Sequence, residues 1–451
     1  MIVFRRRLIF WLIRAYFKKW GKTILVFFIL GLLVFFALRY FVRIIPSAFP
    51  FLSRETVGIA GTYTINDLPP SIFYKISRGL TFVDKGSVVR PDIAKSWKIG
   101  NNGKEYTFYL KNNIYFADGT HFTSKYINYN FKDTQVKRPD DYTITFVLKE
   151  PYSPFPVTVA RPIFKKGFVG VGDYRVKYIK FNGDFVSSID LVSNFEPPHI
   201  IRYQFFPTEE ALKMGFVVGD VSRALGIHDP LFKGKKLTSF KSVKSSRSLD
   251  EKKLVTVFYN TKDPTLSDKR VREAFFYAMP DAFEDGERNS SPFSPSSWAS
   301  TGTKISLQDL VHARELISSS ESASKSSGLT FTLKTLPQHR KTANIIKENF
   351  KKINAILKIE EVDSVPSQFQ LFLGDYNLPK DPDQYTLWHS EQTSNITGYK
   401  NLRIDKLLED GRRVSDINER KKIYTDFEKY LLDDPPASFL YLPYTYTIFR
   451  D

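Results

Sequence analysis

The chain has 451 residues, with 66 Lys+Arg against 48 Asp+Glu, a formal net charge of +18, and no cysteine. At 25% charged and 42% hydrophobic residues it is of globular composition, long enough for two or three domains and a sizeable core. The absence of cysteine excludes disulfide scaffolds, thiolate metal sites, cysteine nucleophiles and a lipid-modified amino-terminal cysteine. Six histidines without an i, i+4 pair argue against a His-based metal site.

The positive charge is concentrated at the start. Residues 1–43 hold nine basic residues (Arg5, Arg6, Arg7, Arg14, Lys18, Lys19, Lys22, Arg39 and Arg43) and no acidic ones. Between Lys22 and Arg39 runs TILVFFILGLLVFFAL, sixteen uncharged residues. With Arg39 snorkelling, residues 23–42 reach the about 20 residues that cross a bilayer. Seven bases precede this span, so the positive-inside rule expects 1–22 in the cytoplasm, 23–42 as the transmembrane anchor, and the bulk of the chain outside. A cleaved signal peptide is the competing reading, disfavoured by the long basic flank and by the lack of a nearby A-x-A site. The segment LIFWLIRAYFKKW reads either as an interfacial helix or as a flank that only sets topology.

Pro46 to Pro50 reads as a linker. Beyond it, TVGIAGTYTI, EYTFYL (105–110), NIYFAD (113–118), YTITFVL (142–148) and the stretch 168–181 are strand-like, separated by turn signals such as Asn101-Asn102-Gly103 and Asp118-Gly119. The second half changes character. SDKRVREAFFYAM (267–279) has a helix start and helical apolar spacing. After the loop 286–300 and the Ser-rich stretch 318–328, LTFTLKTL (329–336), KTANIIKENFKKI (341–353) and ILKIEEV (356–362) predict a parallel strand–helix–strand unit. Two amphipathic helices, 403–414 and 418–434, end at Pro435-Pro436, and ASFLYLPYTYTIF is a final strand.

RPDIAKSWKIGNNGKEYTFYLKNNIYFADGTHFTS (90–124) carries the pattern P-x-x-A-x-S-W … G-x-x-Y-x-F-x-L-[RK] … F-x-D-G-x-x-x-[ST]. Further blocks follow in order: VGDYRV (171–176), EEALKMGFVVGDV (209–221), VFYNTKDPTLSDKRVREAFFYAM (257–279), LFLGDYNLPKDPDQY (371–385), NITGYKNLRIDKLL (395–408) and ERKKIYTDFEKYLLDDPPASFLYLP (419–443). In these the chain resembles the family 5 solute-binding proteins of peptide and nickel ABC importers. The resemblance implies an α/β, two-lobe periplasmic-binding-protein-like clamshell with a small inserted domain, here preceded by one transmembrane helix. It divides the chain into a first lobe of 55–72, 166–258 and 437–451, an inserted domain of 73–165 and a second lobe of 259–436. The segment 129–141 is shorter than is usual in the family, so the inserted domain is expected to be trimmed.

The resemblance also implies a site. Peptide-binding members hold an extended ligand between the lobes, and an Asp in a D-Y-N-x-P-like motif takes its α-ammonium; here that is Asp375. Physically, an enclosed ammonium needs a paired carboxylate. Asp375 reads equally as a turn cap or as the partner of a nearby Lys. Phe372, Leu373 and Gly374 precede it and either pair with a peptide backbone or are plain sheet residues. Trp388 is a candidate aromatic wall of the pocket, with core packing as the alternative. Asp381-Pro382-Asp383 reads as a turn, since two acids without further spaced ligands are too few for calcium. The expected function is therefore a non-enzymatic, membrane-anchored receptor with a peptide ligand and ABC permease subunits as partners, and with no metal or cofactor. ATP hydrolysis belongs to other subunits, since the chain has no G-x-x-x-x-G-K-[ST] loop. Oligosaccharide or nickel-chelate cargo is the alternative on the same fold. A surface module for anionic polymers or nucleic acid is the other, and no nucleic acid is expected, for want of a basic cluster outside the amino terminus.

Overall fold

The computed structural model describes residues 2–48, 54–302, 308–320 and 329–450. It opens with one helix, Ile2–Ala48, which holds a 20-residue stretch, Lys18–Ala37, of mean hydropathy 2.2. By length and composition that stretch can cross a membrane, and its Phe27, Phe28, Leu33 and Phe36 are exposed. The helix runs through Pro46 to Ala48, so three of the five expected linker residues are helical and the other two lie outside the described residues.

One mixed sheet organises both lobes. Its main path runs Ala355–Glu361, Leu329–Thr335, Leu371–Asn377, Lys253–Tyr259, Ala437–Arg450, Arg223–Ile227, Arg54–Ala60, Ile200–Phe206, Phe185–Ser193 and Tyr174–Asn182. The strand Ala437–Arg450 belongs to both halves. Its first part pairs with Lys253–Tyr259, Ala437 opposite Phe258 and Tyr441 opposite Val255. Its second part pairs with Val243–Leu249, Tyr444 opposite Leu249 and Arg450 opposite Val243. Between them Pro443, which has no N–H to give to a ladder, marks the crossing.

The predicted strand–helix–strand unit is present. LTFTLKT alternates inward and outward along Leu329–Thr335, and it pairs in parallel with Ala355–Glu361 across the helix Arg340–Lys351. Helix starts follow cap chemistry, with Asp268, Asn401 and Asp416 side chains accepting from backbone N–H groups of the first turn. A separate antiparallel sheet, ordered Ala94–Gly100, Glu105–Leu110, Thr143–Leu148 and Thr134–Asp140, has its own core around Tyr106, Phe108, Phe146 and Phe155. NIYFAD forms no strand, only a bridge between Tyr115 and His121. Asp118-Gly119 folds it back, with Gly119 at φ 80° and Asp118 accepting from the Thr120 N–H.

This smaller unit docks on the second lobe through few bonds. Ser153 N donates to Arg412 O at 2.6 Å and Ser153 Oγ to Gly411 O at 3.0 Å. Trp298 N donates to Gly86 O at 3.0 Å, and Lys380 Nζ to Tyr74 Oη at 2.6 Å.

Candidate ligand-binding site

The strand Leu371–Asn377 pairs along its whole length with Lys253–Tyr259. On its other edge only Leu371–Leu373 pair, with Leu333–Thr335. Past Thr335 the chain turns through Pro337–His339 into the helix Arg340–Lys351. Among the described residues, Gly374–Asn377 therefore have one edge without a strand partner.

Asp375 lies on that stretch with two cationic or potentially cationic partners. His339 Nε2 is 2.9 Å from Asp375 Oδ1, and Lys253 Nζ is 3.4 Å from Oδ2. Val255 is directly opposite Asp375, which puts Lys253 on the same face as its diagonal neighbour, within reach of a long side chain. Burial pushes the Asp375 carboxyl up, but the His339 hydrogen bond and the Lys253 charge outweigh it and hold the group at about 2.

Both lobes close around this carboxylate. A cavity of about 400 Å³ is bounded by Glu209, Lys213, His228 and Asp229 from the first lobe, and by His339, Arg340, Lys341 and Asp375 from the second. Lys253, Tyr441, Pro443 and Tyr444 line it where the strands cross between lobes. The first-lobe wall is built on the helix Glu209–Val218, whose start is capped by Thr208. Glu209 accepts from the His228 N–H and ring at 3.0 Å each, from Asp229 N at 3.1 Å, and lies 3.1 Å from Lys213 Nζ. Burial opposes ionisation of Glu209, yet these donors hold its carboxyl at about 2. A second cleft of about 620 Å³ lies between the loop around Asp84 and Lys85 and the second lobe's Ser294, Ser296 and Lys380.

Of the residues singled out from sequence, Asp375 faces the inter-lobe cavity and Gly374 supplies unpaired strand edge beside it. Phe372 and Leu373 point their side chains into cores on opposite faces: Phe372 stacks on Phe258 at 6.2 Å, and Leu373 packs in the cluster with Val257 and Leu333. Trp388 is fully buried against Phe258 and Phe439, its Nε1 donating to Gln384 Oε1 at 2.8 Å, and it lines neither cleft. The expected aromatic wall is thus a core residue behind the site, held inward by that hydrogen bond. Asp381 and Asp383 are arginine partners, Asp381 to Arg420 and Asp383 to Arg412. Lys253, His339, Glu209 and His228 are the site-forming residues that the sequence did not single out.

Two lobes, a shared crossing strand and a polar cavity between them define a binding protein of the periplasmic type. The family model for bacterial extracellular solute-binding proteins, family 5, middle part, matches residues 88–398, more than half of the chain, and the chain belongs to that family. Its members are substrate-binding proteins of ABC transporters, not enzymes. Among relatives, the "Probable D,D-dipeptide-binding periplasmic protein DdpA" of Escherichia coli (strain K12) is 23% identical over 426 residues, 80% of each chain. The oligopeptide-binding protein AppA of Bacillus subtilis (strain 168) is 24% identical over 464 residues, 84% of this chain and 83% of that one. The crystal structure of Campylobacter jejuni NikZ in complex with Ni(L-His) superposes with a TM-score of 0.70 at 20% identity, covering 88% of this chain and 94% of that one. The structure of Bacillus subtilis AppA with a nonapeptide gives a TM-score of 0.67 at 21% identity, with 88% and 95% covered.

Proposed function

We propose that this protein is the membrane-anchored, extracytoplasmic receptor of an ABC importer, capturing peptides between its two lobes and delivering them to the permease. The observation that carries the peptide reading is Asp375: an ionised carboxylate in the inter-lobe cavity, on a strand whose neighbouring edge is open from Gly374 onward. An extended peptide can add to that edge through its backbone while the carboxylate meets its amino end. The peptide ligands named for DdpA and AppA point the same way. The proposed domain division is 55–72, 166–258 and 437–451 for the first lobe, 73–165 for the inserted domain and 259–436 for the second lobe; separate hydrophobic clusters support it in outline, while Leu254–Phe258 and Ala437–Leu442 pack into the cores of the second lobe. The anchor is assigned to residues 23–42, with residues 1–22 cytoplasmic, on the apolar stretch and the basic flank.

The test is thermal shift of the full chain in detergent against peptide pools, oligosaccharides and nickel–histidine complexes. A bound peptide at a hundred times its Kd should add about 2.7 kcal/mol of stability. A rise with nickel–histidine or sugar alone would replace the cargo, and no rise with any pool would remove the transport reading. For the anchor, the chain should stay in the membrane pellet after alkaline carbonate; its release would favour a cleaved leader.

A further inference from the structure

We propose that Lys253 is an internal counter-cation of Asp375 in the ligand-free site, which a cationic ligand group must displace, so that Lys253 sets how strongly the cavity favours free amino ends. The proposal deepens the peptide reading and rests on it for its ligand.

The two partners of Asp375 are not equivalent. The His339 side chain is 8% exposed, enclosed where the Pro337–His339 turn enters its helix, whereas that of Lys253 is 37% exposed. Lys253 also makes the longer contact, 3.4 Å against 2.9 Å. A compact charge on a flexible stem can swing into water; an enclosed imidazole cannot. Of the other cations of the cavity, Lys213 meets Glu209 and Glu210, Arg340 meets Glu361, and His228 meets Glu209, while Lys341 lines it without an ion pair to Asp375 among the described residues. Lys253 is thus the cation that an arriving ammonium would confront at Asp375.

Two ammonium groups on one carboxylate repel, so binding a free amino end exchanges one ion pair for a similar one. Little is gained by that exchange. A ligand with a neutral end leaves the Lys253–Asp375 pair intact and needs no exchange. The wild-type cavity should therefore distinguish the two kinds of ligand weakly, and removing Lys253 should sharpen the distinction.

The experiment uses the full chain in detergent as wild type, Lys253→Met, Lys253→Arg, Asp375→Asn and the Lys253→Met/Asp375→Asn double variant. Each is melted without ligand and titrated with one peptide, with its amino end free or acetylated. Without ligand, the losses from Lys253→Met and Asp375→Asn should be non-additive; additive losses overturn the counter-cation. With ligand, Lys253→Met should raise the ratio of free to acetylated affinity about tenfold, Lys253→Arg should keep the wild-type ratio, and Asp375→Asn should remove the preference. An unchanged or falling ratio in Lys253→Met overturns the specificity role. Binding of neither peptide by any variant overturns the peptide reading instead, while the ligand-free melts still decide whether Lys253 and Asp375 are coupled.

Discussion

Arg420→Met should be among the most destabilising single changes in the second lobe. Arg420 projects from the helix Ile417–Asp433, with its side chain 7% exposed, and meets Asp381, 9% exposed, through two bonds of 2.6 and 3.0 Å. It also donates from Nε to Gly411 O at 2.9 Å, and its guanidinium lies 5.1 Å from the Trp298 ring. Methionine keeps much of the packing but leaves the Asp381 carboxylate, among the described residues, with only the Asp383 N–H as a donor. Breaking one side of a buried pair costs about 3–5 kcal/mol. For a lobe of this size each kcal/mol lowers the melting temperature by about 2–4 °C, so a fall of roughly 8–16 °C is expected from about 4 kcal/mol. Lys406→Met is the control: it breaks an exposed pair with Asp410, and such pairs contribute about 0.5 kcal/mol. Differential scanning calorimetry of the full chain in detergent reads both. A fall under about 2 °C for Arg420→Met would refute the reasoning. So would an Arg420→Met/Asp381→Leu double variant no more stable than Arg420→Met, since removing both charges should recover much of the loss.

Two further outcomes follow from local geometry and charge. Asp375 and Glu209 are both held at about 2 in the folded chain, against ordinary values of 3.8 and 4.5. Their stabilisation is complete above about pH 5 and lost as pH falls toward 2, so urea midpoints should drop over that window, and Asp375→Asn should flatten the drop by about 2 kcal/mol; a midpoint unaffected by pH there would count against both assignments. Gly286→Ala places a Cβ against the Tyr441 ring and the Leu442 carbonyl. Overpacking against backbone costs about 1–3 kcal/mol, measurable by urea denaturation, and a neutral result would contradict the close approach.

How much of this was legible depended on the range of the interaction. The helix Arg340–Lys351 and its flanking strands follow from local periodicity, and Asp375 stands out because its motif is contiguous. Lys253 is 122 positions from Asp375, and only the register that sets Val255 opposite Asp375 brings it near. His339 reaches the carboxylate because the parallel strand Leu329–Thr335 ends beside Leu373 and turns over the open edge. Trp388 misleads for a different reason: an indole suits a pocket wall and a core alike, and the Gln384 bond that draws it inward is a tertiary fact. The segment FVSSIDLVS, which the sequence reading did not single out, carries an acid within an apolar run. Asp190 is nonetheless accommodated inside the strand Phe185–Ser193 by ion pairs to Arg54 at 2.8 Å and Arg202 at 2.7 Å.

The coupling of capture to lobe closure can be separated from recognition at Asp375. The cavity sits at the crossing strand: Tyr444 N donates to Asp285 O at 2.8 Å and Asp250 N to Pro443 O at 2.9 Å, while Glu209 and Asp375 face the space from opposite lobes. A ligand touching both walls favours the closed arrangement, and one touching a single wall shifts nothing. Away from the hinge, Lys380 Nζ bonds Tyr74 Oη at 2.6 Å and lies 4.7 Å from its ring centroid, tying the second lobe to the segment that follows the first strand. That exposed contact contributes about 1 kcal/mol to closure. Lys380→Ala should then lower the apparent affinity of every ligand about fivefold and by a common factor, because only the closed population changes. Asp375→Asn should instead act selectively on ligands with free amino ends. Titrating both variants with free and acetylated peptides distinguishes the two effects. If Lys380→Ala altered the ratio between them, Lys380 would be touching the ligand, and the separation of closure from recognition would fail.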